Sequence, residues 1–251
     1  MRSLLFNVAF YATTLAFCLG GFWAFLMPSS NGAQWVARTW GESSIWLLRV
    51  ICGTRLEVRG REKIPPGGII VASKHQSAFE TFGLLPLFPD FTIILKRELM
   101  WLPMFGWYLW KAGMIPIDRG ARGQVMARMT VRAREALAAG RQIVIFPEGT
   151  RMPPGAPPSY KFGVAALYAE TGVACVPVAL NSGLYWPRRK FLRYPGTIVF
   201  EILDPIPPGL SRRDFFERLQ ADLEAATARL IAQSDAPLAA MSDISERSGV
   251  A

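Results

Sequence analysis

No charged side chain interrupts the chain from Leu4 to Met27, and no other stretch restricts the fold as much. At about 1.5 Å per residue, a helix of that length crosses the roughly 30 Å hydrocarbon core of a bilayer. A cleaved signal peptide is the rival reading. The apolar run is long for one, however, and no clean small-x-small site follows it. The stretch is therefore expected to be a retained membrane segment.

After the break at Pro28-Ser29-Ser30-Asn31-Gly32, residues Ala33 to Cys52 carry Trp35, Trp40 and Trp46 among Arg38, Glu42 and Arg49. Such a segment is too short and too charged to span, and its aromatics suit the headgroup level. Two arrangements remain open, one span followed by an interfacial helix, or a re-entrant hairpin. Arg38, Arg49, Arg55, Arg59, Arg61 and Lys63 follow the apolar run and only Arg2 precedes it. By that asymmetry the body is expected on the cytoplasmic side of the membrane. A net charge of +9 calls for an anionic partner such as nucleic acid, acidic lipid or a phosphorylated substrate. Three scattered cysteines give neither a disulfide framework nor a metal-ligand spacing, as in a reducing compartment.

From residue 55 onward, short apolar runs alternate with helical patterns. Strands are predicted near Arg55 to Val58, Gly68 to Ala72, Phe91 to Leu95, Met114 to Ile117, Gln142 to Phe146, Ala174 to Leu180 and Thr197 to Ile202. Helices are predicted near Ala78 to Leu85, Gln124 to Ala139, Val164 to Glu170 and Arg212 to Gln233. This alternation implies an α/β fold, a largely parallel sheet flanked by helices, behind the N-terminal membrane-anchoring segment. The expected units are residues 1–54, residues 55–234, and a frayed tail over 235–251.

The chain has one histidine, in Ser73-Lys74-His75-Gln76-Ser77-Ala78-Phe79-Glu80. Histidine is the side chain best suited to move a proton near neutral pH. His75 falls at a strand-to-helix turn, the edge of an open α/β sheet where ligands bind. Glu80, in the first helical turn, can reach back and orient the imidazole. Ser77 and Glu80 also form a capping-box pattern, which needs no histidine. From these residues alone both readings stand.

A second signal is Ile143-Val144-Ile145-Phe146-Pro147-Glu148-Gly149-Thr150-Arg151, a buried strand ending in a tight polar turn. Arg151 can hold a phosphate bidentately and Glu148 can accept from a hydroxyl. Gly113 to Arg119 and Lys96-Arg97-Glu98-Leu99 also pass from strand to charged residues. Lys161, and the basic run Arg188-Arg189-Lys190 with Arg193, are further candidate contacts for an anionic lipid or acidic carrier protein; a solvated loop is the alternative.

Taken together, His75-x-x-x-x-Glu80, Lys96-x-Glu98-Leu99, Gly113-x-x-x-Ile117-Asp118-Arg119, Phe146 to Arg151 and Val176-Pro177-Val178 resemble, in order and spacing, the blocks of the glycerolipid acyltransferase family. The likeness covers roughly His75 to Leu180 and is closest to the enzymes acting on lysophosphatidate. It implies transfer of an acyl group from a thioester, on acyl carrier protein or coenzyme A, to the sn-2 hydroxyl of 1-acyl-sn-glycerol 3-phosphate, giving phosphatidic acid. It implies no cofactor and no metal beyond that thioester co-substrate. By resemblance His75 and Glu80 are catalytic. Lys96, Arg119 and Arg151 meet the acceptor phosphate, and Asp118, Glu148, Gly149 and Thr150 complete the acceptor site. The family usually has Asp where this chain has Glu80, one methylene longer.

Another lysolipid acceptor, such as lyso-ornithine lipid, fits the same blocks. A membrane-attached thioester hydrolase or anion-binding protein is the reading from a different class, although the chain has no Gly-x-Ser-x-Gly elbow. Nucleic acid is not an expected partner, since neither a glycine-rich phosphate loop nor an aromatic-basic RNA motif occurs.

Overall fold

The computed structural model describes residues 1–118 and 124–236, with the side chains of 124–128 left aside. Arg119 and, apart from Asp235 and Ala236, the expected tail lie outside the described residues.

Seven strands form one sheet: β1 (Thr54–Arg59), β2 (Ile69–Ser73), β3 (Phe91–Lys96), β4 (Ile115–Ile117), β5 (Gln142–Ile145), β6 (Cys175–Leu180) and β7 (Gly196–Ile202), in the order β1-β7-β6-β2-β5-β3-β4. Every pairing is parallel except β6 with β7. The carboxyl ends of β2 to β6 therefore share one edge. This is the largely parallel α/β architecture expected, and β7 is the source of its single antiparallel step.

The central strands read as continuous apolar runs because both of their faces are buried. Side chains alternate across a strand, and β2 divides accordingly. Ile69 and Val71 join one core, with Phe6, Val36, Phe82 and Tyr108. Ile70 and Ala72 join the other, with Met129, Leu167, Phe215 and Leu223. The first core is covered by α1 (Arg2–Gly20), α2 (Asn31–Leu47), α3 (Glu80–Gly83) and α4 (Phe105–Lys111). The second is covered by α5 (Gln124–Ala138), α6 (Gly163–Thr171) and α8 (Arg212–Ala232). A further short helix, α7 (Ser182–Tyr185), follows β6. Ser211 caps α8 by accepting from the Asp214 amide at 3.1 Å, as its capping signature requires.

The N-terminal helices both face outward and pack on the sheet. Gln34 donates to the carbonyls of Phe91 and Ala112 at 2.7 and 3.0 Å, Trp40 Nε1 donates to Thr14 at 3.0 Å, and Tyr108 donates to the Cys18 carbonyl at 2.9 Å. Gly41 lets α2 approach α3 closely, since a Cβ there would stand 2.8 Å from the Phe82 carbonyl oxygen. The opposite face of α1 exposes Leu4, Leu5, Val8, Tyr11, Leu15 and Leu19. The Arg2–Phe25 segment is long and apolar enough to cross a membrane, and only 17% of its most apolar window is buried. A surface of this kind indicates membrane association.

Candidate active site

His75 lies two residues past β2, in the turn that leads to α3. Its Nδ1 is 2.9 Å from Glu80 Oε1, and Glu80 is fully buried. The same oxygen accepts from the amides of Gln76 and Ser77, each at 2.6 Å, and Ser182 donates to the other oxygen at 2.8 Å. Ser77 in turn accepts from the Phe79 amide at 3.1 Å. Glu80 thus makes the return bond of the capping-box pattern and meets the imidazole with the same oxygen, while Ser77 bonds Phe79 and α3 begins without a side-chain cap. The added methylene of Glu80 is accommodated, because the turn folds back far enough to meet it. A carboxylate only accepts, so Nδ1 carries the hydrogen and Nε2 is left free to act as a base.

The turn after β5 closes over the other side. The His75 ring stacks on Phe146 with centroids 4.2 Å apart, and the Met152 amide donates to the His75 carbonyl at 2.7 Å. With 12% of its side chain exposed, the imidazole is supported by both turns and still open on one side. Gly149 adopts a left-handed φ of +66°, which favours glycine, and Lys161 lies over it. Thr150 is exposed and Arg151 half-buried. Burial lowers the Arg151 guanidinium from its ordinary value, and the nearby Glu80 carboxylate opposes that shift.

Glu148 departs from the sequence reading. It is 1% exposed and turned inward, with Oε1 accepting from Lys74 Nζ at 2.6 Å and Oε2 from the His75 amide at 3.0 Å. The physical reason is Lys74, a buried ammonium beside the lone histidine that needs a counter-charge. Burial pushes the Glu148 carboxyl above the usual carboxylate range, while the Lys74 ammonium and the His75 amide act against it. Lys74 also donates to Glu224 of α8 at 2.7 Å, as does the Tyr160 hydroxyl at 2.7 Å. Burial, together with Glu224, raises the Tyr160 phenol far above its ordinary value, so it remains a donor.

Lys74, Tyr160, Ser182 and Glu224 were not found by reading the sequence. Only Lys74 left a trace there, as a lysine directly after a buried strand. Lys96 and Asp118 stand at the ends of β3 and β4, at the same sheet edge. Lys96 pairs with Glu98 at 2.9 Å and Arg97 with Asp118 at 3.8 Å, all of them well exposed.

Residues 55–181 match the family model described as Acyltransferase. A 1-acyl-sn-glycerol-3-phosphate acyltransferase of Pseudomonas aeruginosa is 38% identical over 199 residues, covering 79% of this chain and 77% of that protein. The human 1-acyl-sn-glycerol-3-phosphate acyltransferase alpha is 32% identical over 64% of this chain and 58% of its own length. The fold is that of the crystal structure of an acyltransferase from Thermotoga maritima, PlsC, with a TM-score of 0.74 at 24% identity over 92% of this chain and 98% of that one. With the family model spanning half of the sequence and such a relative matched along most of both proteins, the chain belongs to the Acyltransferase family.

Proposed function

We propose that this enzyme transfers an acyl group from a thioester to the sn-2 hydroxyl of 1-acyl-sn-glycerol 3-phosphate, producing phosphatidic acid. The observation that carries the reading is the 2.9 Å contact between His75 Nδ1 and the buried Glu80 carboxylate, at the sheet edge that also bears Arg151. The relatives' names supply the acceptor.

In this mechanism His75 Nε2 takes the hydroxyl proton as the acceptor oxygen attacks the thioester carbonyl, and Glu80 stabilises the imidazolium. Collapse of the tetrahedral adduct breaks the carbon–sulfur bond. The imidazolium then returns its proton to the departing thiolate, leaving an ester and a free thiol. Arg151 binds the acceptor phosphate, a role the family resemblance gives also to Arg119 and Lys96, while Asp118, Gly149 and Thr150 serve the rest of the acceptor. Glu148 instead holds the His75 backbone. The co-substrate is acyl carrier protein or coenzyme A carrying the acyl chain, and no cofactor or metal takes part.

An apolar cavity of about 80 Å³ between α1, α2 and the sheet, lined by Phe17, Trp40, Leu85 and Met114 among others, suits part of an acyl chain. Thr81, next to Glu80, borders it. The working location is the cytoplasmic face of a bacterial-type inner membrane.

The test is an assay of the purified chain in mixed micelles, with labelled acyl-coenzyme A or acyl carrier protein offered to lysophosphatidate or lyso-ornithine lipid. Phosphatidic acid is the expected product, and His75→Ala should lower kcat by about 10²–10⁴-fold. Thioester hydrolysis at the same rate without acceptor would replace this reading with a hydrolase. Preference for the ornithine lipid would remove the phosphate role of Arg151.

A further inference from the structure

The connection between α7 and β7, Trp186-Pro187-Arg188-Arg189-Lys190-Phe191-Leu192-Arg193-Tyr194, contains four cations and no acid. It sits at the carboxyl edge of the sheet. Its tip holds Phe191 and Leu192 outward, 56% and 52% exposed, beside the exposed Arg189 and Lys190. The tip is built from beneath. Arg193 Nη1 donates to the carbonyls of Lys190, Phe191 and Leu192 at 2.8, 3.0 and 3.0 Å, and its guanidinium lies 4.2 Å over the Trp186 ring. With those carbonyls turned inward, the two apolar side chains are left facing solvent.

Two further contacts locate the tip. The Arg193 amide donates to Ser3 at 3.0 Å and its Nη2 to Asn7 at 3.3 Å, which fixes the loop to the first turns of α1, beside the exposed Leu4, Leu5 and Val8. At its other end, Arg188 Nη1 donates to the Arg151 carbonyl at 2.7 Å. One short loop thus joins the apolar face of α1 to the turn carrying the phosphate-binding arginine.

We infer that residues 189–192 form a second lipid contact, in which Phe191 and Leu192 enter the headgroup boundary of a bilayer while Arg189 and Lys190 meet the phosphates of anionic lipid. Apolar residues set among cations are the composition that binds such an interface. Continuity with the apolar face of α1 favours lipid over an acidic protein, which would have to dock where the bilayer already lies. The inference rests on α1 facing a membrane. It assigns the loop the task of seating Arg151 at headgroup depth, where a lysolipid phosphate resides.

The test is flotation of the full chain with vesicles of phosphatidylcholine, with and without phosphatidylglycerol. Wild type should bind both and bind the anionic vesicles more tightly. Arg189→Gln/Lys190→Gln should bind the anionic vesicles about 30-fold more weakly than wild type, at about fivefold per charge near such a surface. Phe191→Ser/Leu192→Ser should weaken binding to both. Both variants should raise KM for lysophosphatidate in anionic vesicles yet keep wild-type turnover on a short-chain acceptor dispersed as monomers, which also shows that they are folded. Unchanged vesicle binding in both variants overturns the inference. So does a loss confined to the acyl carrier protein donor with acyl-coenzyme A unaffected, which would make the loop a protein-docking site. Failure of wild type to bind either vesicle would refute the membrane reading of α1, and this inference with it.

Discussion

Glu148 offers the sharpest test, because its inward position separates a supporting role from substrate contact. Lys74 and Glu148 are 4% and 1% exposed, so the pair lies out of water, and removing one partner of such a pair costs about 3–5 kcal/mol. Glu148→Gln keeps an oxygen that can still accept from the His75 amide, but it strands the Lys74 ammonium on Glu224 alone. The low end, about 3 kcal/mol, is therefore expected. For a chain of this size that corresponds to a fall in Tm of roughly 6–12 °C. A loosened His75 backbone should lower kcat by about 10–100-fold while KM for the acceptor stays unchanged. Lys74→Met in the same background removes the stranded charge, so the double variant should recover most of the lost Tm. Thermal unfolding in detergent micelles, with steady-state kinetics on the same samples, reads all three quantities. A raised acceptor KM with Tm and kcat unmoved would show that Glu148 meets substrate, and the support argument would be wrong.

Three further substitutions address the rest of the site. Glu80→Gln keeps an oxygen for the Gln76 and Ser77 amides and for His75 Nδ1 but removes the charge that stabilises the imidazolium, so kcat should fall about 10²–10⁴-fold. Glu80→Asp, which keeps the charge, should stay within about tenfold of wild type. Equal losses in the two would mean that packing, not the carboxylate charge, sets the rate. Arg151→Ala removes a charge-assisted phosphate contact worth about 1.5–3 kcal/mol, so KM for lysophosphatidate should rise about 10–150-fold. An unchanged KM would clear Arg151 of that task.

The strands were legible in the sequence because a parallel strand buried on both faces leaves an uninterrupted apolar run, as in Ile69 to Ala72 and Cys175 to Leu180. The helices α5, α6 and α8 were legible from their periodicity. α4 was not. Its residues include Trp107 and Trp110, both exposed, so burial gives Phe105 to Lys111 little helical period, and the sequence reads as an aromatic patch. The predicted helix from Ala78 to Leu85 is cut short to Glu80–Gly83, followed by a tight turn over Leu85–Leu87, because Pro86 removes a backbone donor.

Within the site, His75 and Glu80 stood out because they lie five residues apart and meet through local geometry. The inward turn of Glu148 was not legible because its partner, Lys74, is remote in sequence and gains a charge requirement only once the sheet has buried it. Tyr160 and Glu224 left no local trace for the same reason, since both are drawn in through contacts with distant parts of the chain.

The bond from Lys74 to Glu224 has a consequence for the order of synthesis. The histidine turn emerges from the ribosome early, but the helix that completes the support beneath it is the last described element to be made. While α1 is already available to the bilayer, a nascent chain that has not yet reached residue 224 lacks the carboxylate that joins Lys74 and Tyr160 beneath the histidine turn. The support beneath the base is thereby completed only after the α8 segment has been made.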